Sequence, residues 1–292
     1  MYDHFKRDQY SSFVQAARAL SANKAKAVYI IGRRSETLDK AVSQCANPNV
    51  IPLVGDVSSK DDLQRIADRV QSDHGYIDVL FANSGVGGPG LPFQVPAGKA
   101  EEKKEGEKSA LEKWRDALWE VPMDDFTKTM HINCTGVLYT ALAFLPLLLA
   151  SNKRAGGLPS RHQTAQILVT ASIASFNRTI AHNPAYPASK AAVLNLVKTL
   201  ATKLSAEDVR VNAIAPGLYP SEMTAGHGSV KEGKRPDEEG SLPRDVVPIG
   251  RMGGEGDMAA TIVWMMGRGG SYLSGSVVVS DGGRLSILPA TY

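Results

Sequence analysis

Cysteine is scarce in this sequence: the 292 residues include only two, Cys45 and Cys134, which lie far apart. Two distant cysteines form neither the disulfide framework of a small secreted fold nor a cysteine-rich metal centre. The histidines are scattered as well, without the spacing that metal ligands require. We therefore expect no metal site, and a reducing, cytoplasmic setting.

The sequence also lacks long apolar runs and a strong charge of either sign. Residues 1–8 have no apolar core, so we expect no secretory signal there. The longest apolar stretch, 137–150, contains Pro146 and is shorter than the ~18 residues that span a membrane, which favours a buried helix. A net charge of +3 is too small to indicate binding to nucleic acid or to a membrane surface.

Strand-like and helix-like segments alternate along the chain, a pattern typical of a parallel sheet covered by helices. A hydrophobic content of 43% suits one large α/β domain that covers residues 1–292. The predicted strands are 27–31, 50–54, 77–82, 165–170, 209–213 and 276–279. The predicted helices are 36–44, 60–72, 123–150, 185–204 and 256–266.

Two segments interrupt this alternation. The first, about 86–121, begins rich in glycine and proline and continues as a Lys/Glu run, which predicts a solvated surface insertion. The second, about 217–246, is polar and contains several glycines and prolines. Because a loop of this length in a compact domain is often a lid or a binding segment, we expect it to shape a substrate pocket.

Tyr186 and Lys190 are the most informative pair in the sequence. Their spacing of four residues places both side chains on one face of the helix 185–204, for which Asn183 and Pro184 suit the N-cap and the first turn. A free tyrosine has a pKa of about 10, and a neighbouring ammonium favours the phenolate and lowers that pKa. With Ser172 nearby to hold a carbonyl or alcohol oxygen, the pattern predicts acid–base catalysis.

In this arrangement the sequence resembles the short-chain dehydrogenase/reductases, Rossmann-like enzymes that transfer hydride between a nicotinamide cofactor and a carbonyl or alcohol. The resemblance runs from about residue 16 to the C-terminus and implies a mostly parallel, doubly wound α/β sheet. It implies that Tyr186 donates or accepts the proton, while Lys190 lowers the tyrosine pKa and binds the nicotinamide ribose. Ser172 would orient the substrate oxygen, and Asn133 would hold a water molecule in the proton relay.

The same resemblance implies a set of cofactor contacts. An Asp-Val pair would contact the adenine ring, and an Asn-Ser-Gly element would steady the central sheet beside the cofactor. A Pro-Gly turn and a threonine would lie against the nicotinamide, and the catalytic tyrosine and lysine would contact its ribose. The corresponding residues are Asp56, Val57, Asn83, Gly85, Tyr186, Lys190, Pro216, Gly217 and Thr224.

The type of cofactor is indicated by the residues that follow the strand 27–31, which are Gly32, Arg33 and Arg34, with no acid. In dinucleotide-binding folds an acidic residue at this position pairs with the 2′-hydroxyl of NAD, whereas arginine accommodates the 2′-phosphate of NADP. Arginine is well matched to phosphate because its guanidinium donates two parallel hydrogen bonds. The sequence therefore favours NADP(H) over NAD(H).

One family element is missing from the beginning of the sequence. The family opens with a strand and a glycine-rich turn that lets the pyrophosphate rest on a helix N-terminus. Residues 1–13 contain no glycine and are too polar for a buried central strand. We therefore expect no glycine cradle for the phosphates and two unpaired strand edges in the sheet. Three explanations stay open: a truncated or mis-spliced product, a variant with a non-redox role, or another segment that fills the gap.

These observations predict an NADP(H)-dependent carbonyl reductase or alcohol dehydrogenase that acts on a small molecule. The segment 219–224 and the glycine-rich ending resemble those of 3-oxoacyl and polyketide-type reductases. The alternative is a cofactor-free isomerase, cyclase or inactive partner. By resemblance, the helices 123–150 and 185–204 would pair subunits in a homodimer or homotetramer.

Overall fold

A computed structural model of the chain describes residues 12–45, 47–90, 108–154, 163–179, 183–221, 224 and 229–291. The strands are β1 Val28–Gly32, β2 Val50–Val54, β3 Val79–Ala82, β4 Gln166–Thr170, β5 Arg210–Pro216 and β6 Val277–Ser280. The helices are α1 Ser12–Ala22, α2 Ser35–Ser43, α3 Lys60–His74, α4 Ala110–Trp119, α5 Met123–Met130, α6 Gly136–Lys153, α7 Ala185–Leu204 and α8 Glu255–Met266. The predicted strands and helices are present with small shifts of their ends, which confirms the predicted α/β class.

The strands form two separate parallel sheets. One contains β1 and β2, and the other has the order β3-β4-β5-β6. Within the described residues no strand lies between β1 and β3, and the two edges predicted to be unpaired are the ones that border this gap. None of the described segments fills this gap, and the three explanations stay open.

Helices cover both faces of the larger sheet because successive strand residues point to opposite sides. In β4, Ile167 and Val169 are buried in a cluster with residues of α3, α6 and α7. The residue between them, Leu168, belongs to a second cluster with residues of α1 and α8. The smaller sheet has its own cluster, formed with α1 and α2. This layering is that of a Rossmann-like fold.

The predicted helix 123–150 is longer than expected and has an irregular centre. A π-helical turn, His131–Thr135, joins α5 to α6, so the helical segment spans 31 residues from Met123 to Lys153. By length and composition this segment is apolar enough to cross a membrane. In the fold, however, α6 buries residues along its length against the larger sheet, including Phe144 and Leu148. Core packing thus explains part of the apolar composition, since 44% of the most apolar window is buried.

The two interrupting segments differ in structure. In the described part of 86–121, α4 begins at a capping box in which Ser109 accepts from the Glu112 N–H and Glu112 accepts from the Ser109 N–H. The Lys/Glu run over 99–107 lies outside the described residues. The described residues of 217–246 contain no helix and no strand after the end of β5.

Gln166 is a weak point of the core. Its side chain is fully buried, and neither amide atom has a hydrogen-bond partner among the described residues. Because a buried unsatisfied polar group costs about 1–3 kcal/mol, we expect Gln166→Met to raise the free energy of unfolding by that amount. Urea denaturation would measure the change. The control is Gln64→Met, an exposed amide bonded to Asp68, which should change stability by less than about 0.5 kcal/mol. A destabilised Gln166→Met protein would contradict this view.

Candidate active site

The start of α7 is fixed by Asn183. Its side-chain oxygen accepts hydrogen bonds from the N–H groups of Ala185 at 2.9 Å and Tyr186 at 3.3 Å. The helix therefore begins one residue later than Pro184, while Asn183 still acts as the predicted side-chain cap. The amide nitrogen of Asn183 also donates to the carbonyl of Gly87 at 3.4 Å. This second contact, which ties α7 to the loop after β3, was not predicted from the sequence.

Lys190 lies one turn further along α7 and is almost completely buried, with 3% of its surface exposed. Its ammonium donates to the carbonyl of Thr170 at 2.7 Å and lies 5.9 Å from the centre of the Tyr186 ring. The hydroxyl of Thr170 in turn donates to the side-chain oxygen of Asn83 at 2.8 Å. These bonds connect the carboxyl ends of β3 and β4 to α7. Burial lowers the pKa of Lys190 to about 8 because it disfavours the ammonium.

Tyr186 is partly buried beside Ser172. Burial raises its pKa above the usual value, and the hydrogen bond with the Ser172 side chain opposes that rise without cancelling it. In this structure the Lys190 ammonium is directed to Thr170, and its predicted effect of lowering the tyrosine pKa stays a prediction. Ser172 itself is buried at the end of β4, where its hydroxyl accepts from the Ala174 N–H at 3.1 Å.

Asn133 lies in the π-helical turn and is fully buried. Its side-chain oxygen accepts from the Val86 N–H at 2.8 Å, and its amide donates to the Val86 carbonyl at 2.9 Å and to the Ser189 hydroxyl at 3.0 Å. Asn133 thus holds the loop after β3 against α7. The role that the resemblance implies for it, holding a water molecule in a relay, stays a prediction.

Gly85 lies where the loop after β3 passes close to the catalytic side chains. A Cβ at this position would be 3.1 Å from the Asn133 side-chain oxygen and 3.4 Å from the Lys190 ammonium. A side chain here would force one of these groups to move. The structure therefore explains why a glycine stands at this position.

A cavity of about 660 Å³ is lined by residues of both β1 and β3 and by Tyr186 and Lys190. Its volume is within the range of about 300–1,000 Å³ that small-molecule and cofactor sites usually have. Ser221, which was not among the predicted site residues, also lines it. The predicted residues that line the cavity are Arg33, Arg34, Asp56, Val57, Asn83, Gly85, Tyr186 and Lys190.

The remaining predicted contacts do not line this cavity. The Gly217 N–H donates to the Ser280 carbonyl at 2.9 Å, and a Cβ on Gly217 would be 2.7 Å from the Asp281 Cα. The Thr224 hydroxyl donates to the Tyr219 carbonyl at 2.6 Å, so it stabilises its own turn. Roles of Pro216, Gly217 and Thr224 in cofactor binding stay predictions.

The end of the cavity beside β1 carries positive charge. The Arg33 guanidinium, with 67% of its side chain exposed, lies 4.0 Å from the Asp56 carboxylate. The Asp56 carboxylate accepts from the Ser58 hydroxyl at 2.6 Å and from its N–H at 2.8 Å, and these bonds lower the Asp56 pKa. Arg34 is the N-terminal flanking residue of α2. An anionic group that entered here would meet an accessible guanidinium.

These features match the two ends of a nicotinamide dinucleotide, the adenosine ribose and the nicotinamide ribose. They do not match the pyrophosphate that joins them. The arginines suit a ribose phosphate, and Tyr186 with Lys190 suits the ribose and reacting ring at the other end. Between them the family relies on a glycine turn for the pyrophosphate, and residues 1–13 contain no glycine. No cradle for the pyrophosphate is therefore found in the sequence ahead of α1.

Comparison with known proteins agrees with the geometry. A family model described as short chain dehydrogenase matches residues 14–231. The chain is 42% identical over 276 residues to the short-chain dehydrogenase/reductase PhomF of Diaporthe leptostromiformis, covering 94% of this chain and 88% of the relative. It is 28% identical over 257 residues to a rhamnolipids biosynthesis 3-oxoacyl-[acyl-carrier-protein] reductase of Pseudomonas aeruginosa, covering 88% and 85%. The solved Pseudomonas aeruginosa RhlG/NADP active-site complex superposes with a TM-score of 0.72 at 26% identity, covering 94% and 93%.

Proposed function

The chain belongs to the short-chain dehydrogenase/reductase family of oxidoreductases, and on this basis we propose that it reduces a small carbonyl substrate with NADPH. The observation that carries the proposal is that Tyr186 and the buried Lys190 lie one turn apart on α7, with the ammonium 5.9 Å from the tyrosine ring centre, and that both line the cavity. The Tyr186 hydroxyl can donate the proton that reduction of a carbonyl oxygen requires.

In the proposed reaction Ser172 binds the carbonyl oxygen of the substrate and orients it toward Tyr186. The Tyr186 hydroxyl donates its proton to that oxygen as negative charge develops there. The Lys190 ammonium, 5.9 Å from the tyrosine ring centre, stabilises the phenolate that remains. A bound nicotinamide would supply the hydride that reduces the carbonyl carbon.

The substrate class follows from similarity and not from the cavity. A relative of this chain is a 3-oxoacyl-[acyl-carrier-protein] reductase, and a similar solved structure is an NADP complex. We propose 3-oxoacyl or polyketide-like carbonyls as substrates, with the segment 217–246 shaping specificity. We also propose a cytoplasmic homodimer or homotetramer that pairs through the segment 123–153 and α7.

Arg33 and Arg34 give the sharpest test of the cofactor. The double substitution Arg33→Ala with Arg34→Ala should weaken NADPH binding by about 10–100-fold, because a lost charge-assisted hydrogen bond costs about 1.5–3 kcal/mol. Binding of NADH, which lacks the 2′-phosphate, should change by less than about threefold. Isothermal calorimetry with both cofactors would measure the difference.

The control for this experiment is Arg69→Ala. Arg69 is an exposed residue of α3 that is bonded to Asp73 and does not line the cavity, so its removal should leave both affinities unchanged. Equal weakening of NADPH and NADH by the double substitution would refute the phosphate contact.

A cofactor-free function is the second candidate, and the divided sheet favours it. In the described residues no strand lies between β1 and β3, and residues 1–13 contain no glycine for the turn with which the family holds the pyrophosphate. Suppose that the folded wild-type protein binds neither NADPH nor NADH in the same titration. The reductase hypothesis is then rejected in favour of an isomerase, a cyclase or an inactive partner.

A further inference from the structure

Asn183 uses every hydrogen-bonding position of its side chain, although only 5% of the residue is exposed. Its side-chain oxygen accepts from the N–H groups of Ala185 and Tyr186. Its amide nitrogen donates to the carbonyls of Gly87 and Pro89. An asparagine amide offers two acceptor positions and two donor hydrogens, and all four are used here. The side chain therefore joins the first turn of α7 to the loop after β3.

A helix cap alone does not require asparagine at this position. Serine and aspartate cap helices about as well, since each presents an oxygen to the N–H groups of the first turn. Only the amide supplies, beside that oxygen, a nitrogen with two hydrogens for the carbonyls of the loop. The residue type thus indicates that the loop contact is a second role of Asn183.

The loop after β3 passes so close to Asn183 that Gly88 has no room for a side chain. Gly88 has a φ of +75°, in the left-handed region that favours glycine. A Cβ there would lie 3.0 Å from the Thr129 hydroxyl oxygen and 3.2 Å from the Asn183 side-chain oxygen. The loop is thus packed between α5 and the start of α7.

A second chain of hydrogen bonds joins the same loop to Tyr186. Val86 of the loop is bonded through both its N–H and its carbonyl to the side chain of Asn133. The Asn133 amide donates to the buried Ser189 hydroxyl at 3.0 Å, and that hydroxyl donates to the Tyr186 carbonyl at 2.7 Å. The backbone of Tyr186 is therefore connected to the loop at its N–H through Asn183 and at its carbonyl through Ser189.

We propose that Asn183 is a positioning residue that fixes Tyr186 relative to the loop after β3 for proton transfer. Val86 and Tyr186 both line the cavity, so a shift between the loop and α7 would move the tyrosine hydroxyl relative to a bound carbonyl. A misplacement of about 1 Å can cost about 10²-fold in rate. The inference rests on the proposed reductase function, because Tyr186 is the proton donor in that reaction.

Three substitutions at Asn183 separate helix capping from positioning. Asn183→Asp and Asn183→Ser keep an oxygen for the N–H groups of α7 and lose the amide donors to the loop, whereas Asn183→Ala loses both. We expect all three to lower kcat for carbonyl reduction by about 10–100-fold. KM should change by less than about threefold, the pattern of an interaction that acts in the transition state. Full kcat in the Asp and Ser variants would reduce Asn183 to a cap and overturn the proposal.

The order of stability separates positioning from a general loss of structure. The melting temperature should fall most in Asn183→Ala, which also loses the cap, although its kcat falls no further than that of Asn183→Ser. Because Asn183→Ser adds no charge, its loss of kcat does not arise from a carboxylate beside Tyr186. Losses of kcat that follow the losses of melting temperature would indicate a purely structural role and contradict the inference.

The matched control is Ser109→Ala, which removes the side-chain cap of α4. Its kcat should equal that of the wild-type protein, because the residues of α4 are not among those that line the cavity. An equal loss of kcat in this control would assign the effect to loosening of any capped helix and would overturn the role of Asn183.

Amide hydrogen exchange of the cofactor-free protein tests the loop contact without any activity. In Asn183→Asp the Val86 amide should exchange faster by about tenfold or more, because the loop is released. The Ala185 amide, still bonded to a side-chain oxygen, should keep its rate. An unchanged rate at Val86 would show that Asn183 does not hold the loop, against the proposal.

Failure of this inference and failure of the proposed function give different results. A wild-type protein without NADPH-dependent carbonyl reduction would refute the reductase, and with it a role for Asn183 in proton transfer. An active wild-type protein whose Asn183→Ser variant keeps full kcat would leave the reductase in place and refute the role of Asn183 alone.

Discussion

Replacing Tyr186 by phenylalanine is expected to lower kcat for carbonyl reduction by about 10²–10⁴-fold, the usual contribution of a positioned acid or base. The substitution removes the hydroxyl and keeps the ring. It therefore removes the proton donor and the contact with Ser172, while the packing of α7 is maintained. NADPH consumption at saturating substrate would measure kcat, and thermal unfolding would confirm that the fold is intact.

The control for this substitution is Tyr139→Phe, which makes the same chemical change on α6, outside the cavity. Its kcat should equal that of the wild-type protein. Retention of full activity by Tyr186→Phe would remove the basis of the proposed mechanism, since no other described phenol lies beside Ser172 and Lys190.

The second large effect is a loss of activity at alkaline pH. Burial disfavours the ammonium of Lys190 and so lowers its pKa from 10.5 to about 8. Below pH 8 the side chain is charged and stabilises the phenolate that Tyr186 leaves behind; above it the amine is neutral. We expect kcat/KM to fall by about tenfold per pH unit above this pKa, because kcat/KM reports the ionisation of the free enzyme.

Variants of Lys190 identify the group responsible for that loss. Lys190→Arg should move the decline to higher pH, since arginine stays protonated throughout this range. Lys198→Met, which removes an exposed lysine from the same helix, should leave the profile unchanged. The raised pKa of Tyr186 places its own ionisation at higher pH. An unshifted decline in Lys190→Arg would assign the loss to another group.

The strands and α7 were predictable because buried parallel strands are continuous apolar runs and a Tyr-x-x-x-Lys spacing fits a helix. The broken sheet was also predictable, because the polar residues 1–13 do not suit a central strand. The site was predicted less completely. Spacing along α7 places Tyr186 and Lys190 on one face, but it does not reveal that the ammonium is bonded to Thr170 or that burial controls the tyrosine pKa.

Other features of the site depend on tertiary contacts that no local sequence pattern indicates. The π-helical turn around Asn133 falls within a continuous helical pattern, and its effect is to direct Asn133 to Val86, 47 residues earlier. Asn183 could be recognised as a cap from the Asn-Pro pair, whereas its bond to the Gly87 carbonyl is a tertiary contact. Thr224 was assigned to the nicotinamide by resemblance, and in the structure its hydroxyl is bonded within its own turn.

The division of the sheet also determines how the molecule comes apart. Among the described residues no ladder of backbone bonds crosses from β1 to β3, and within them the unit from β1 to β2 is attached through side-chain packing and chain connections. Its small core can open as a cooperative unit of its own, ahead of the rest. Such partial opening would remove Arg33 and Arg34 from the cavity and leave Tyr186 and Lys190 in place on α7. Cofactor binding would then be lost at a lower denaturant concentration than the native arrangement of Tyr186 and Lys190.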